Sequence, residues 1–177
     1  MNILVVVDMQ NDFLTGSLAN PDAVKIIPGI VDEILSGKYD HIYATCDMHG
    51  ENYLDTIEGK HLPIPHCRLG SWGEDFPPEI NKALGKQANV SCITKTTFGE
   101  PYLASRIEKR YERSEDKELD ITLVGTCTDI CVISNALILK TIWCAEVNVI
   151  EHLCAGTTPE NHEIAIKAMR QCHVNIL

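Results

Sequence analysis

The sequence predicts an α/β protein of one domain, in which a doubly wound parallel sheet lies between helices on both faces. Three observations predict it. Short β-branched runs alternate with longer helical runs along the chain. The first run, Ile3 to Val7, is apolar without interruption, which is typical of a strand covered on both sides. A length of 177 residues is enough for one buried core. We therefore expect three layers, α/β/α, over residues 1–177.

The pattern predicts six strands and five helices in order. Apolar residues at helical spacing, such as Val24, Ile27 and Ile30, mark the first helix, and β-branched runs mark the strands. The strands are expected at residues 3–7, 40–46, 90–94, 120–124, 147–150 and 174–177. The helices are expected at about 21–36, 78–84, 102–113, 129–143 and 159–172. Residues 47–76 show no periodicity, and so long an irregular segment in a compact domain is usually functional or disordered.

Composition argues against several classes of function. The net charge of -10 disfavours nucleic-acid binding, which depends on neutralising phosphates. No apolar run approaches the roughly 18 residues that span a membrane. The amino terminus reaches Asp8 without a cationic segment, which predicts a strand and not a signal peptide. Neither glycine-rich nucleotide-binding motif is present. We expect a protein that acts on a small molecule, without nucleic acid or membrane.

The chain contains eight cysteines. Several lie in apolar strand-like or helix-like runs, and the core is large enough to be stable without disulfides. We expect a cytoplasmic protein with reduced thiols that are mostly small buried hydrophobes.

Three reactive residues follow predicted strand ends. Asp8 ends the first strand, Lys95 follows the third, and Cys131 follows the fourth. Functional sites of open α/β sheets gather at the carboxyl ends of strands. A carboxylate, a cation and a thiol at that edge predict a base, a charge partner and a nucleophile.

Cys131 is the most informative of the three. It lies in a predicted strand-turn-helix transition, where Thr128 or Asp129 could cap the helix. The free N–H groups of a first helical turn would lower the thiol pKa and could hold a developing oxyanion. Cys127 is the competing nucleophile, and its position before the helix makes it the weaker candidate.

The irregular segment supplies five potential metal ligands within twenty residues. Carboxylate and imidazole groups together suit Zn²⁺, Mn²⁺ or Fe²⁺. The candidates are Asp47, His49, Glu58, His61 and His66.

These residues also carry a resemblance to a known family. The chain resembles the isochorismatase-like cysteine hydrolase superfamily over roughly residues 3 to 160, and within it the nicotinamidase branch. The superfamily motifs are Asp8-Met9-Gln10-Asn11-Asp12-Phe13, Lys95, and Gly125 to Val132 in the form G-x-x-x-D-x-C-V. The branch motifs are Asp47-Met48-His49 and His66-Cys67-x-x-Gly70-Ser71-x-Gly73.

The resemblance implies a role for each matching residue. Asp8, Lys95 and Cys131 would form the catalytic triad. The backbone amides of Cys127 and Cys131 would form the oxyanion hole, with a cis peptide before Cys127. Phe13 would line the substrate pocket. Asp47, His49 and His66 would bind a divalent transition metal, with Zn²⁺ expected first and Mn²⁺ or Fe²⁺ as alternatives. Glu58 would be the remaining ligand, with His61 as its competitor. The implied sheet has six parallel strands in the order 3-2-1-4-5-6, and a homo-oligomer is expected.

The implied reaction is hydrolysis of nicotinamide to nicotinate and ammonia, a step of NAD salvage. The metal would act as a template that binds the pyridine nitrogen. The branch commonly has a tryptophan three residues before the histidine that matches His66, where this chain has Pro63. Trp72 or another residue would then have to supply the stacking surface. The alternatives are another small amide, a ureido compound or an enol ether as substrate, or a non-catalytic metal-binding protein.

Overall fold

The computed structural model describes all 177 residues and contains one sheet of six parallel strands. The order β3-β2-β1-β4-β5-β6 confirms the expected sheet and the expected α/β class. The strands are β1 (Asn2–Val7), β2 (His41–Asp47), β3 (Val90–Lys95), β4 (Leu119–Thr126), β5 (Ala145–Ala155) and β6 (Asn175–Ile176).

Eight α-helices connect and cover these strands. No helix among them has both the length and the apolar character needed to cross a bilayer. The helices are α1 (Asn11–Leu14), α2 (Pro21–Lys25), α3 (Ile27–Leu35), α4 (Ile57–His61), α5 (Pro78–Leu84), α6 (Leu103–Tyr111), α7 (Ile133–Leu139) and α8 (Pro159–Gln171). Two short 3-10 helices, Tyr53–Asp55 and Trp72–Glu74, and a π-helical turn, Thr128–Val132, complete the chain.

The first predicted helix, residues 21–36, is two helices in the structure. The helix is interrupted at Ile26, between α2 and α3. Pro28 lies in the first turn of α3 and has no N–H to donate to the carbonyl of Val24, so one continuous helix cannot form. The Asn20 side chain accepts hydrogen bonds from the amides of Asp22 and Ala23 and caps α2.

Two further predictions had the wrong bounds. The helix expected at 129–143 is a π turn followed by α7, which ends at Leu139. The strand expected at 147–150 is longer, because an irregularity in register between Leu123 and Gly125 lets β5 continue along β4. The polar pair Glu151-His152 interrupts the apolar run and hid this extension from the pattern.

The sheet separates two hydrophobic cores. In β1, Ile3, Val5 and Val7 contribute to one core, and Leu4 and Val6 contribute to the other. Both faces of β1 are therefore buried, as its continuous apolar run predicts.

The irregular segment is tied back to the start of the chain. One carboxylate oxygen of Asp12 accepts a hydrogen bond from the Cys67 amide at 2.7 Å, and the other accepts one from the Ser17 amide at 3.0 Å. The Gln10 amide group donates to the carbonyls of Asp47 and Glu74, both at 2.8 Å. These bonds position residues 47–76 over the carboxyl ends of the central strands.

Candidate active site

The strand ends bring Asp8, Lys95 and Cys131 together. Lys95 Nζ lies 2.7 Å from Asp8 Oδ2 and 3.8 Å from Cys131 Sγ. All three side chains are buried. The predicted cluster of a carboxylate, a cation and a thiol is therefore present as geometry, and a proton can pass between its members over short distances.

The Asp8 carboxylate has a second donor and an unusual backbone. Thr45 Oγ1 donates to Asp8 Oδ1 at 2.7 Å. The φ angle of Asp8 is 47°, in the left-handed region, which turns the chain sharply at the end of β1. Burial raises the pKa of the Asp8 carboxyl and nearby Asp47 adds to this effect, whereas Lys95 and Thr45 oppose it.

Lys95 is the cation that two buried carboxylates share. Its Nζ also lies 3.4 Å from Asp47 Oδ1. Burial by itself would lower the pKa of Lys95, but the surrounding negative charge, that of Asp8 above all, outweighs burial and raises it. The lysine therefore stays protonated and offsets the charge of the carboxylates.

Cys131 lies in the π turn, and the structure corrects two expectations about it. Neither Thr128 nor Asp129 caps the helix: Thr128 contacts His162, and Asp129 accepts bonds from Thr157. Burial and the Asp8 charge raise the pKa of the Cys131 thiol, and Lys95 only partly opposes them. The expected lowering of this pKa is therefore wrong, because burial and the Asp8 charge raise it.

Cys127 precedes the π turn. The peptide bond between Thr126 and Cys127 is cis, as the resemblance implies. The Cys127 carbonyl accepts hydrogen bonds from the amides of Ile130 and Val132, both at 3.0 Å. Cys127 and Cys131 line the same cavity.

Four predicted metal ligands converge beside this site. The ligand atoms of Asp47, His49, Glu58 and His66 all lie within 4.8 Å of one another. Asp47 Oδ2 is 2.9 Å from His49 Nε2 and 3.4 Å from His66 Nε2. His61, the competitor of Glu58, is exposed and is not part of the cluster.

The ligand chemistry of this cluster fits a divalent metal. His66 Nδ1 can donate to the Ile64 carbonyl at 2.9 Å, so Nε2, which faces Asp47, is the nitrogen that a bound metal would use. Burial alone would raise the pKa of Asp47, but bonds from His49 and His66 lower it well below its ordinary range. Two imidazoles and two carboxylates meeting at one point suit a transition metal.

A cavity of about 390 Å³ lies between the metal cluster and the thiol. Phe13 lines it, as predicted, with its ring centroid 5.5 Å from that of His66. The position of Pro63 is exposed, and Trp72 is 61% exposed and absent from the lining, so Trp72 does not replace the missing tryptophan.

Leu62 and Phe98 supply apolar surface in this cavity, and sequence reasoning missed both. Phe98 follows Lys95 closely, so an aromatic residue just after a strand end was the available signal. No sequence pattern predicts that Leu62 lines the cavity, because the path of the chain after α4 determines the direction of its side chain.

Comparisons with known proteins agree with this geometry. A family model described as the isochorismatase domain matches residues 2–177. The nicotinamidase/pyrazinamidase of Mycobacterium tuberculosis is 27% identical over 194 aligned positions, which cover 100% of this chain and 98% of that protein. A pyrazinamidase structure from Pyrococcus horikoshii, in complex with zinc, superimposes with a TM-score of 0.78 at 27% identity and covers 99% of this chain and 98% of its own. The structure of PnC1 from L. infantum, in complex with nicotinate, shares the fold with a TM-score of 0.81 at 21% identity, covering 100% and 92%.

Proposed function

The chain belongs to the isochorismatase family, and from this premise we propose that it is a cysteine-dependent amide hydrolase that converts nicotinamide to nicotinate and ammonia. The observation that carries the proposal is the contact of Lys95 with both Asp8 and Cys131, together with the exposure of Cys131 to the active-site cavity. The similarity to the nicotinamidase/pyrazinamidase of Mycobacterium tuberculosis supports the substrate class.

The reaction begins with proton transfer from the Cys131 thiol to the Asp8 carboxylate. The thiolate attacks the carboxamide carbon, and the backbone amides of Cys127 and Cys131 stabilise the oxyanion. The C–N bond then breaks, protonated Asp8 gives its proton to the departing ammonia, and a thioester remains. Asp8 next takes a proton from water, whose oxygen attacks the thioester carbon. The C–S bond breaks, protonated Asp8 returns its proton to the Cys131 thiolate, and the acid leaves as nicotinate after losing its proton to solvent.

Asp47, His49, Glu58 and His66 would hold the divalent metal, with Zn²⁺ as the first choice. When bound, the ion supplies a Lewis-acid anchor for a ring nitrogen of the substrate. Phe13, Leu62 and Phe98 line the same cavity and would exclude water from around the ring.

The thiol test is replacement of Cys131. Cys131→Ala should abolish ammonia release, a loss of at least about a thousandfold, because the covalent intermediate cannot form. Cys172→Ala removes an exposed thiol and serves as the control, with activity unchanged. Turnover retained by Cys131→Ala would refute the mechanism.

The metal test measures bound metal and activity together. Asp47→Ala or His66→Ala should reduce both bound metal and ammonia release by more than about tenfold, because each removes one of four ligands. Asp55→Ala removes an exposed carboxylate of the same segment and should change neither. Elemental analysis of the purified variants measures the bound metal. Ammonia release before and after treatment with a chelator measures how far activity depends on that metal.

A second candidate is hydrolysis of a different small amide or a ureido compound by the same triad. The specific observation in its favour is that the branch's tryptophan position is Pro63, outside the cavity, while aliphatic Leu62 lines it. A substrate panel scored for ammonia distinguishes the two, since nicotinamide should have the highest kcat/KM under the first proposal.

A further inference from the structure

A second concave surface lies between α6 and the edge strand β3, and it shares no lining residue with the active-site cavity. Its volume is about 700 Å³, within the range of roughly 300–1,000 Å³ that small-molecule sites occupy. Tyr43 and Ser91 line it from the strands, and Arg106, Lys109 and Arg110 line it from α6. We refer to it as the basic cleft.

The charge of the basic cleft is opposite to that of the whole chain. The chain carries a net charge of -10, yet three cations and no carboxylate line this surface. Arg106, Lys109 and Arg110 are spaced i, i+3 and i+4, which places them on one face of α6. Glu108, two residues after Arg106, points about 200° away around the same helix.

These three cations have no counter-ion in the protein. The exposed ion pairs use other cationic groups, namely the amino terminus, Lys25, Lys38, Lys167 and Arg170. Arg110 Nε donates to the Tyr43 hydroxyl at 3.2 Å, which orients the guanidinium and leaves its terminal nitrogens available. Three like charges held together without an anion repel one another, and a multiply charged anion would relieve this repulsion.

We propose that the basic cleft binds a small molecule with a diphosphate group and an aromatic ring, of the nucleoside diphosphate class. The planar guanidinium group of arginine can donate two parallel hydrogen bonds to the oxygens of a phosphate group. Two arginines and a lysine therefore suit two linked phosphate groups. Tyr102 also lines the cleft and is 68% exposed, so its ring face is open for stacking. The overall negative charge disfavours a nucleic acid or an anionic membrane as the occupant.

The test is binding of ADP, pyrophosphate and adenosine to the purified protein, measured by isothermal titration calorimetry at about 50 mM salt, with no turnover required. ADP should bind saturably, pyrophosphate more weakly, and adenosine undetectably. Tyr102→Ala should weaken the binding of ADP and leave the binding of pyrophosphate unchanged. The double variant Arg106→Gln/Lys109→Gln should weaken ADP at least about tenfold, since each charge-assisted bond contributes that order of affinity.

The matched control is Lys167→Gln/Arg170→Gln on α8. It removes two exposed cations at the same i, i+3 spacing, and both are already paired with carboxylates. ADP affinity within about twofold of the unchanged protein in this control supports the assignment. Equal weakening by both double variants, adenosine bound as tightly as ADP, or no saturable ADP binding would overturn it. Ammonia release plays no part in these measurements, so failure of the proposed amidase reaction is recognised separately.

Discussion

Two donors of different kinds hold the buried carboxylate of Asp8. Lys95 supplies a charge at 2.7 Å, and Thr45 supplies a neutral hydroxyl at the same distance. Both lower the pKa of Asp8 against the effect of burial, which raises it. In the proposed reaction Asp8 must start as the anion, so these donors decide how far into acid the enzyme works.

Thr45→Val keeps the shape of this side chain and removes only the hydroxyl donor. The pKa of Asp8 should rise, because one bond to its ionised form is lost, and the acidic limb of kcat/KM should move up by about one pH unit. A pH–rate profile measures this shift.

Thr122→Val provides the control for the loss of a buried hydroxyl in the neighbouring strand β4. It should leave the acidic limb where it is. An unmoved limb in Thr45→Val would mean that Asp8 is not the base.

The residues that meet in the candidate active site could largely be predicted from the sequence. Asp8, Lys95 and Cys131 lie at or after the ends of strands whose apolar runs are visible in the sequence, and parallel strands align their carboxyl ends. The direction in which the Cys131 pKa shifts could not be predicted, because it depends on how deeply the fold buries the thiol and on its distance from Asp8.

At the scale of elements, the edge formed by β2 and β3 contains a buried histidine. His41 Nε2 lies 2.9 Å from Ser91 Oγ, while Nδ1 is buried without a partner. Burial, with a smaller effect from Arg110, lowers the pKa of His41 from 6.5 to about 4. A proton added to Nδ1 would have no acceptor, so the folded protein keeps this ring neutral.

Stability should therefore fall in mild acid. Between pH 6.5 and 4 the unfolded chain binds a proton at His41 that the folded protein does not. The contribution of neutral His41 to the free energy of unfolding is therefore fully present above this pH range and is lost as the pH falls through it. The free energy of unfolding should drop by about 1–3 kcal/mol from this group. Urea unfolding at pH 7 and pH 4.5 measures the drop.

His41→Gln should reduce that pH dependence by about 1–2 kcal/mol, because a glutamine does not titrate. His152→Gln replaces an exposed histidine of β5 and should reduce it far less. Equal pH dependence in the two variants would contradict the assignment to His41.

Element bounds show where sequence periodicity stops being informative. The break between α2 and α3 follows from Pro28, a local signal that the apolar spacing of the predicted helix concealed. The extension of β5 to Ala155 has no local signal, since it depends on the shifted register with β4. The loop that places Leu62 in the cavity is likewise decided by tertiary contacts.

At the scale of the whole molecule, the protein has a net charge of -10 and two apolar cores. Repulsion among like charges destabilises the compact state, and salt screens it over a Debye length of about 10 Å at 0.1 M. Raising NaCl from about 20 to 200 mM should therefore raise the Tm by a few degrees. Calorimetry checks this, and KCl at equal ionic strength should give the same shift. A constant or falling Tm would contradict it.

The central position of β1 has a consequence for how the protein folds. Val5 pairs with Tyr43 of β2 on one side and with Leu123 of β4 on the other, so long stretches of chain must close into loops before the sheet is complete. Non-local pairing of this kind slows folding. Asp8 and Cys131 come from β1 and from the turn after β4, and they meet only once that distant pairing has formed. A chain in which β4 has not yet paired with β1 therefore lacks the approach of Cys131 to Asp8 that the proposed reaction requires.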